Sequence, residues 1–339
     1  MKKKLFTALR IIFFLGLGCF FIWLFLANLG TKEKSEILLS LEKANYWWLI
    51  ASIFLGIISH FSRTLRWRML LEPMGYKPRL WNVFFSVFIG YLANLALPRL
   101  GEVSRCGVLT RYEKIPFNKS FGTVLTERAI DFVIFLLLFF INIFFQRAKL
   151  YGYIESQVYE PLAAKLSPGV DFAGTITWIF LGSIVGLVSL FFIFREAILI
   201  SKPYQKITSL IKGLLEGIYS VSKLKSPWLF LFHSLFIWLM YLLMAWVVFL
   251  SLPATATLGL DAGLSVVMFG TIGIIIVQGG IGIYPAIVAG TLLIYGIPKT
   301  TGYAMGWLIW SAQTAMMLVA GAISFLLLPL FNKLKHERT

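Results

Sequence analysis

The ionisable residues able to do chemistry in this chain gather in two short segments beside long apolar runs. One is LPRLGEVSRCGVL, residues 97–109, where Arg99, Glu102 and Arg105 recur at three-residue intervals; the other holds Glu127, Arg128 and Asp131. A guanidinium fork matches the oxygens of a phosphate or carboxylate, so arginines held in such a segment suit an anionic group, and neighbouring carboxylates would orient them or compete for them. Glu127 and Asp131 are four residues apart and share a helical face, where two like charges repel unless a cation sits between them. Arg99 or Arg105 is the nearest expected supply, which predicts a buried ion network joining the two segments. The plainer alternative makes 99–105 an ordinary cytoplasmic loop and leaves Glu127 to Asp131 at a membrane surface, where long charged side chains snorkel to water.

Other residues are weaker candidates. Arg63, Arg66 and Arg68 close an apolar run and serve either to collect anionic headgroups or to set orientation. Asn94 is a polar residue near the end of the apolar stretch that precedes Arg99. The stretch Gln278–Pro285 is uncharged, and its Gly279, Gly280 and Gly282 allow backbone to approach a ligand closely or helices to pack tightly. His60 and His233 read as packing residues. There is no phosphate loop ending in Lys-Ser/Thr, no HExxH pair and no Cys/His constellation, so the residues point to no enzyme, metal or cofactor.

The elements that must position these residues follow from composition. The chain has 339 residues, 59% of them hydrophobic and 14% charged, with a mean hydropathy of +0.83. Soluble domains carry about 25% charged residues, so this is a chain for a lipid bilayer. Its net charge of +16 would otherwise raise the thought of nucleic acid; beside such apolar runs the cations are read as loop charges that orient the chain and meet anionic lipid. Runs of the ~20 residues a membrane helix needs cover 11–29, 44–62, 121–145, 172–194, 227–250 and 302–331.

Two stretches do not fit as simple spans. Residues 81–98 are apolar but short, and 262–298 run uncharged for 37 residues with Gly279-Gly280 near their middle. Charge decides how they cross. If 81–115 enters and leaves on one face, 23 Lys and Arg lie on the cytoplasmic side against seven outside, as the positive-inside rule requires. The expectation is one integral membrane domain over 1–339, an all-α polytopic bundle of about six spans plus re-entrant hairpins at 81–115 and 262–298. The hairpins would enter from opposite faces, as in an inverted repeat with a substrate site between broken helices. Both termini would be cytoplasmic, in a bacterial inner membrane, with a surface amphipathic helix over 203–222.

The segments SRTLRWRMLL (62–71), NLALPRLGEVSR (94–105), VLTERAIDF (124–132) and GGIGIYP (279–285) together resemble the signature stretches of the flippase-like family, the lysylphosphatidylglycerol synthase transmembrane region. Bifunctional members join this region to a soluble domain that attaches an amino acid to phosphatidylglycerol. With eight residues after the last expected span, the resemblance implies the transport half alone. It carries Arg99, Glu102, Arg105, Glu127, Arg128 and Asp131 over as candidates. Where family members often place an acidic residue after the second glycine motif, this chain reads Ile283-Tyr284-Pro285. The implied function is translocation of an anionic phospholipid or a polyprenyl-phosphate lipid. The alternatives are a small-solute or ion transporter, and a non-transporting partner of an envelope-biosynthesis enzyme such as a glycosyltransferase; a homo-oligomer is compatible with each.

Overall fold

A computed structural model of the protein describes residues 29–97, 99–155 and 223–336, together with 20, 22–24, 27 and 221. The described residues form helices and no strands. In chain order they are α1 (Thr31–Glu42), α2 (Trp47–Leu71), α3 (Leu80–Ala96), α4 (Leu100–Glu113), α5 (Phe117–Ile154), α6 (Pro227–Phe249), α7 (Leu260–Ile276), α8 (Ile283–Leu293) and α9 (Lys299–His336). The expected spans at 11–29 and 172–194 lie largely or wholly outside these residues, as does the expected surface helix at 203–222.

Among the described residues, four stretches are long and apolar enough to cross a membrane: Trp47–Met74, Phe117–Tyr153, Pro227–Phe249 and Lys299–Lys333. The chain is thus a multi-pass all-α membrane protein. Between them sit two pairs of shorter helices, α3 with α4 and α7 with α8, so that an order of long, short, short, long occurs twice. The short helices have 17, 14, 17 and 11 residues, and at 1.5 Å per residue none reaches the ~30 Å of a hydrocarbon core.

Local chemistry sets these boundaries. The α2 helix gives way to a turn through Pro73 that closes on Gly75 at φ +85°, a left-handed value that glycine adopts without cost. Leu97 is extended, as the residue before a proline tends to be, and Pro98 has no N–H with which to continue a helix. The second pair turns through Gly279, Gly280 and Gly282, all at positive φ.

Each short pair packs into its own apolar core. Trp67, Val83, Val87, Cys106, Leu109 and Val124 surround the first, and Val266, Tyr284, Val288, Leu292, Met305 and Leu308 surround the second. Large apolar residues such as Phe140 and Phe145 on α5 and Phe325 and Leu326 on α9 stay exposed, as suits a surface solvated by lipid tails. With lipid as solvent, close approach of backbones replaces the hydrophobic effect in holding helices together. Two long-range polar seams add to it on α5. One lies at Glu127 and Asp131; at the other, Ser265 donates to Asn142 at 2.9 Å and Lys149 pairs with Asp261 at 2.7 Å.

One close backbone contact between helices tests this account. A Cβ on Gly306 of α9 would lie 2.5 Å from the Pro285 Cα of α8, whereas one on Gly290 would meet nothing. Gly306→Ala is expected to destabilise the protein by about 1–3 kcal/mol, read as a lower melting temperature in detergent. Gly290→Ala should be neutral or stabilising by up to about 1 kcal/mol.

Candidate functional site

The first site residues are set in place by the α3–α4 turn. Arg99 occupies the left-handed region at φ +63°, a conformation disfavoured for residues with a Cβ and found where surrounding structure imposes it. Gly101 follows because α4 crosses α3 with no room to spare: a Cβ there would collide with the Gly90 carbonyl oxygen and the Asn94 amide. The Gly101 N–H donates to Asn94 Oδ1 at 2.7 Å. Asn94 therefore satisfies one of the free amides at the start of α4, and it also faces the cavity described below.

The Glu127–Asp131 pair does have its cations, but they come chiefly from α2. Arg63 Nη1 reaches Glu127 Oε1 at 2.5 Å and Asp131 Oδ2 at 3.0 Å. Arg66 lies 2.6 Å from Asp131 Oδ1 and 3.2 Å from Glu127 Oε1. Arg105 of α4 completes the network at Glu127 Oε2, 3.2 Å away, with its guanidinium 4.6 Å from the centre of the Trp67 ring. Glu127 and Arg66 are wholly buried, and Arg63 and Arg105 nearly so. Of the two expected suppliers, Arg105 is in the network and Arg99 lies instead in a cavity wall. Arg63 and Arg66 are members of a buried network, which neither reading of them as a topological signal nor as headgroup collectors anticipates.

Arg128 points elsewhere. It pairs with Glu102 across the α4–α5 interface, Nη2 to Oε1 at 2.9 Å, and its side chain remains 46% exposed. Together with Arg99 it lines a cavity of about 560 Å³. The opposite wall comes from the second short pair and from α9, with Ile274, Gly279, Tyr284, Trp310 and Gln313. The cavity thus lies between the turns of the two short pairs. Trp310 Nε1 holds the second turn by donating to the Gly279 carbonyl at 2.6 Å.

The glycine turn uses two of its amides internally. The Gly280 amide donates to Val277 O at 2.8 Å and the Ile283 amide to Ile281 O at 2.9 Å, so these N–H groups are spent within the turn. Gly279 contributes wall to the cavity; Gly280 and Gly282 shape the turn behind it. His60 packs against Phe88 and Tyr91, and the His233 ring nitrogen is 2.8 Å from Ser62 Oγ. Among the described residues no group of His, Cys, Asp and Glu could hold a metal ion. Trp310, Gln313, Thr314 and Met317 were not singled out from the sequence, although their i, i+3, i+4, i+7 spacing marks one helical face.

The family model for the lysylphosphatidylglycerol synthase TM region matches residues 8–321. The chain is 28% identical over 210 residues to the UPF0104 membrane protein MJ1595 of Methanocaldococcus jannaschii, covering 60% of this chain and 54% of that one. It is 27% identical over 100 residues to the glycosyltransferase AglD of Haloferax volcanii, covering 29% of this chain and 16% of that protein. The chain therefore spans about half of the first relative and a small part of the second. No solved structure matches it.

Removing one member of a buried ion network strands the others. Arg66→Met is expected to cost about 3–5 kcal/mol, and the paired change Arg66→Met with Asp131→Leu less than the single one. Arg99→Gln, at an exposed position, should leave the melting temperature unchanged.

Proposed function

The chain belongs to the lysylphosphatidylglycerol synthase TM-region family, and from that premise we propose that it is a lipid translocase of the plasma (inner) membrane. Its substrate is the anionic headgroup of a phospholipid or a polyprenyl-phosphate lipid, held in the cavity between the two helix turns while the tails stay in lipid. The single observation that carries this reading is the cavity of about 560 Å³ with Arg99 and Arg128 in its wall.

The physical support is as follows. Charges inside a bilayer are tolerated where they meet water or partners; Arg128 has Glu102 as its partner and the open cavity on its other side. Interrupted backbone at membrane depth is tolerated where protein covers it or where it lines a cavity, and both helix turns border this one. Short helices that fall below the bilayer thickness favour re-entrant hairpins at 81–115 and 262–298, entering from opposite faces. Glu102 acts as a resident counter-ion: its carboxylate holds Arg128 at 2.9 Å until a phosphate displaces it, so bound lipid can be released again.

The similarity to a stretch of the glycosyltransferase AglD favours one second reading, in which the chain positions an envelope glycosyltransferase and itself moves nothing. Reconstitution separates the two. In liposomes, purified protein is expected to expose acyl-labelled fluorescent phosphatidylglycerol to an external quencher well above the protein-free rate. Arg99→Gln combined with Arg128→Gln should lower that rate about tenfold or more, with melting shifted far less than by Arg66→Met. Movement by wild type no faster than in protein-free vesicles overturns the translocase reading.

A further inference from the structure

Behind the charged cavity lies a second of about 190 Å³, and the two share Tyr91, Ile274, Tyr284, Gln313 and Met317 in their walls. The chemistry changes from one to the other. Arg99 and Arg128 line only the outer cavity, whereas the inner one adds His60, Tyr241 and Thr271. With the shared Gln313 amide they form an uncharged lining able to donate and accept hydrogen bonds.

Two details of the inner cavity call for a polar guest. His60 is 2% exposed and its Nδ1 has no hydrogen-bond partner, which leaves a buried polar atom unsatisfied. The Tyr241 hydroxyl accepts from Arg63 Nη2 at 3.0 Å, so its own hydrogen remains to donate. A volume of about 190 Å³ is that of about six waters, or of one small polyol. Among the described residues no carboxylate lines either cavity. Glu102, Glu127 and Asp131 are each engaged by guanidiniums. An ammonium headgroup entering the inner cavity would meet hydroxyls, rings and an amide but no carboxylate in its wall, an arrangement that selects against it.

We propose that the inner cavity is a subsite for an uncharged, hydroxyl-rich group, glycerol or a hexose, esterified to the phosphate that Arg99 and Arg128 hold. Its hydroxyls bond to His60 Nδ1, Tyr241 and the Gln313 amide, and its carbon skeleton lies against the Tyr91 and Tyr284 rings. This rests on the headgroup reading of the outer cavity and narrows it to phosphodiesters of neutral polyols.

The test separates that reading from this one. Deacylated headgroups are titrated into detergent-solubilised protein, with binding read from Trp310 fluorescence and Trp310→Phe as the blank. The probes are glycerophosphoglycerol, a methyl glucosyl phosphodiester and glycerophosphoethanolamine. At least one of the two polyol esters is expected to bind about tenfold or more tightly than the ethanolamine ester, and which one it is tells glycerol from sugar. Gln313→Leu and His60→Phe, each verified as folded by melting, should bring that preference down to within about twofold. Equal binding of all three probes, or a preference that survives in both variants, overturns the subsite. The same proteins are then reconstituted with fluorescent phosphatidylglycerol and phosphatidylethanolamine. A polyol preference in binding without lipid movement keeps the subsite and defeats translocation; movement of both lipids with equal probe binding does the reverse.

Discussion

Glu127 has no contact with solvent, and a carboxylate so placed is tolerable only with cations arranged around it, because desolvating an ion costs several kcal/mol before any pairing offsets it. Three arginines from two other helices meet that condition: Arg63 and Arg66 from α2, Arg105 from α4. The need to surround one buried charge therefore ties three separate elements together at a single point. It also decides the direction of the next residue. Neighbours on a helix differ by about 100°, so anchoring Glu127 in the network turns Arg128 away from it, toward Glu102 and the open cavity. Charge that stabilises and charge that faces the cavity are thus sorted by one residue step along the helix.

The second half meets the first with different means. Its turn carries no charge, and it is held by a tryptophan donating to a glycine carbonyl and by backbone bonds within the turn itself. One wall of the cavity is consequently cationic and the other neutral and aromatic, which gives an elongated guest a direction in which to lie. Methionines at 316 and 317 beside the inner cavity supply a wall that adapts to shape.

Much of this was legible in the sequence. Apolar runs located the long helices, and the proline at 98 and the glycines at 279–282 located the breaks, because both depend on local covalent geometry. The four-residue spacing of Glu127 and Asp131 correctly demanded a cation between them. Its source was not legible, since Arg63 is 64 residues away from Glu127 in the chain and arginines at the end of an apolar run already have an adequate explanation in membrane orientation. Gln313 and Trp310 escaped notice for a related reason: single polar groups in a long apolar helix acquire meaning only when the facing helices are known. The other candidates, Arg99, Glu102, Arg105, Arg128 and Asn94, were named by their type and place beside the apolar runs, and the structure divides them between a buried network, a cavity wall and a helix cap.

The two polar seams on α5 lie along one stripe. Asp131 and Asn142 are eleven residues apart, about 20° in azimuth and roughly 16 Å in height, and each is bonded to a different half of the molecule. Sliding this helix by a single 5.4 Å turn would uncouple both ends at once, and rotating it would strand ions at one end and amides at the other. Its register is therefore fixed from both ends, by α2 and α4 at the ion network and by α7 at the amide seam.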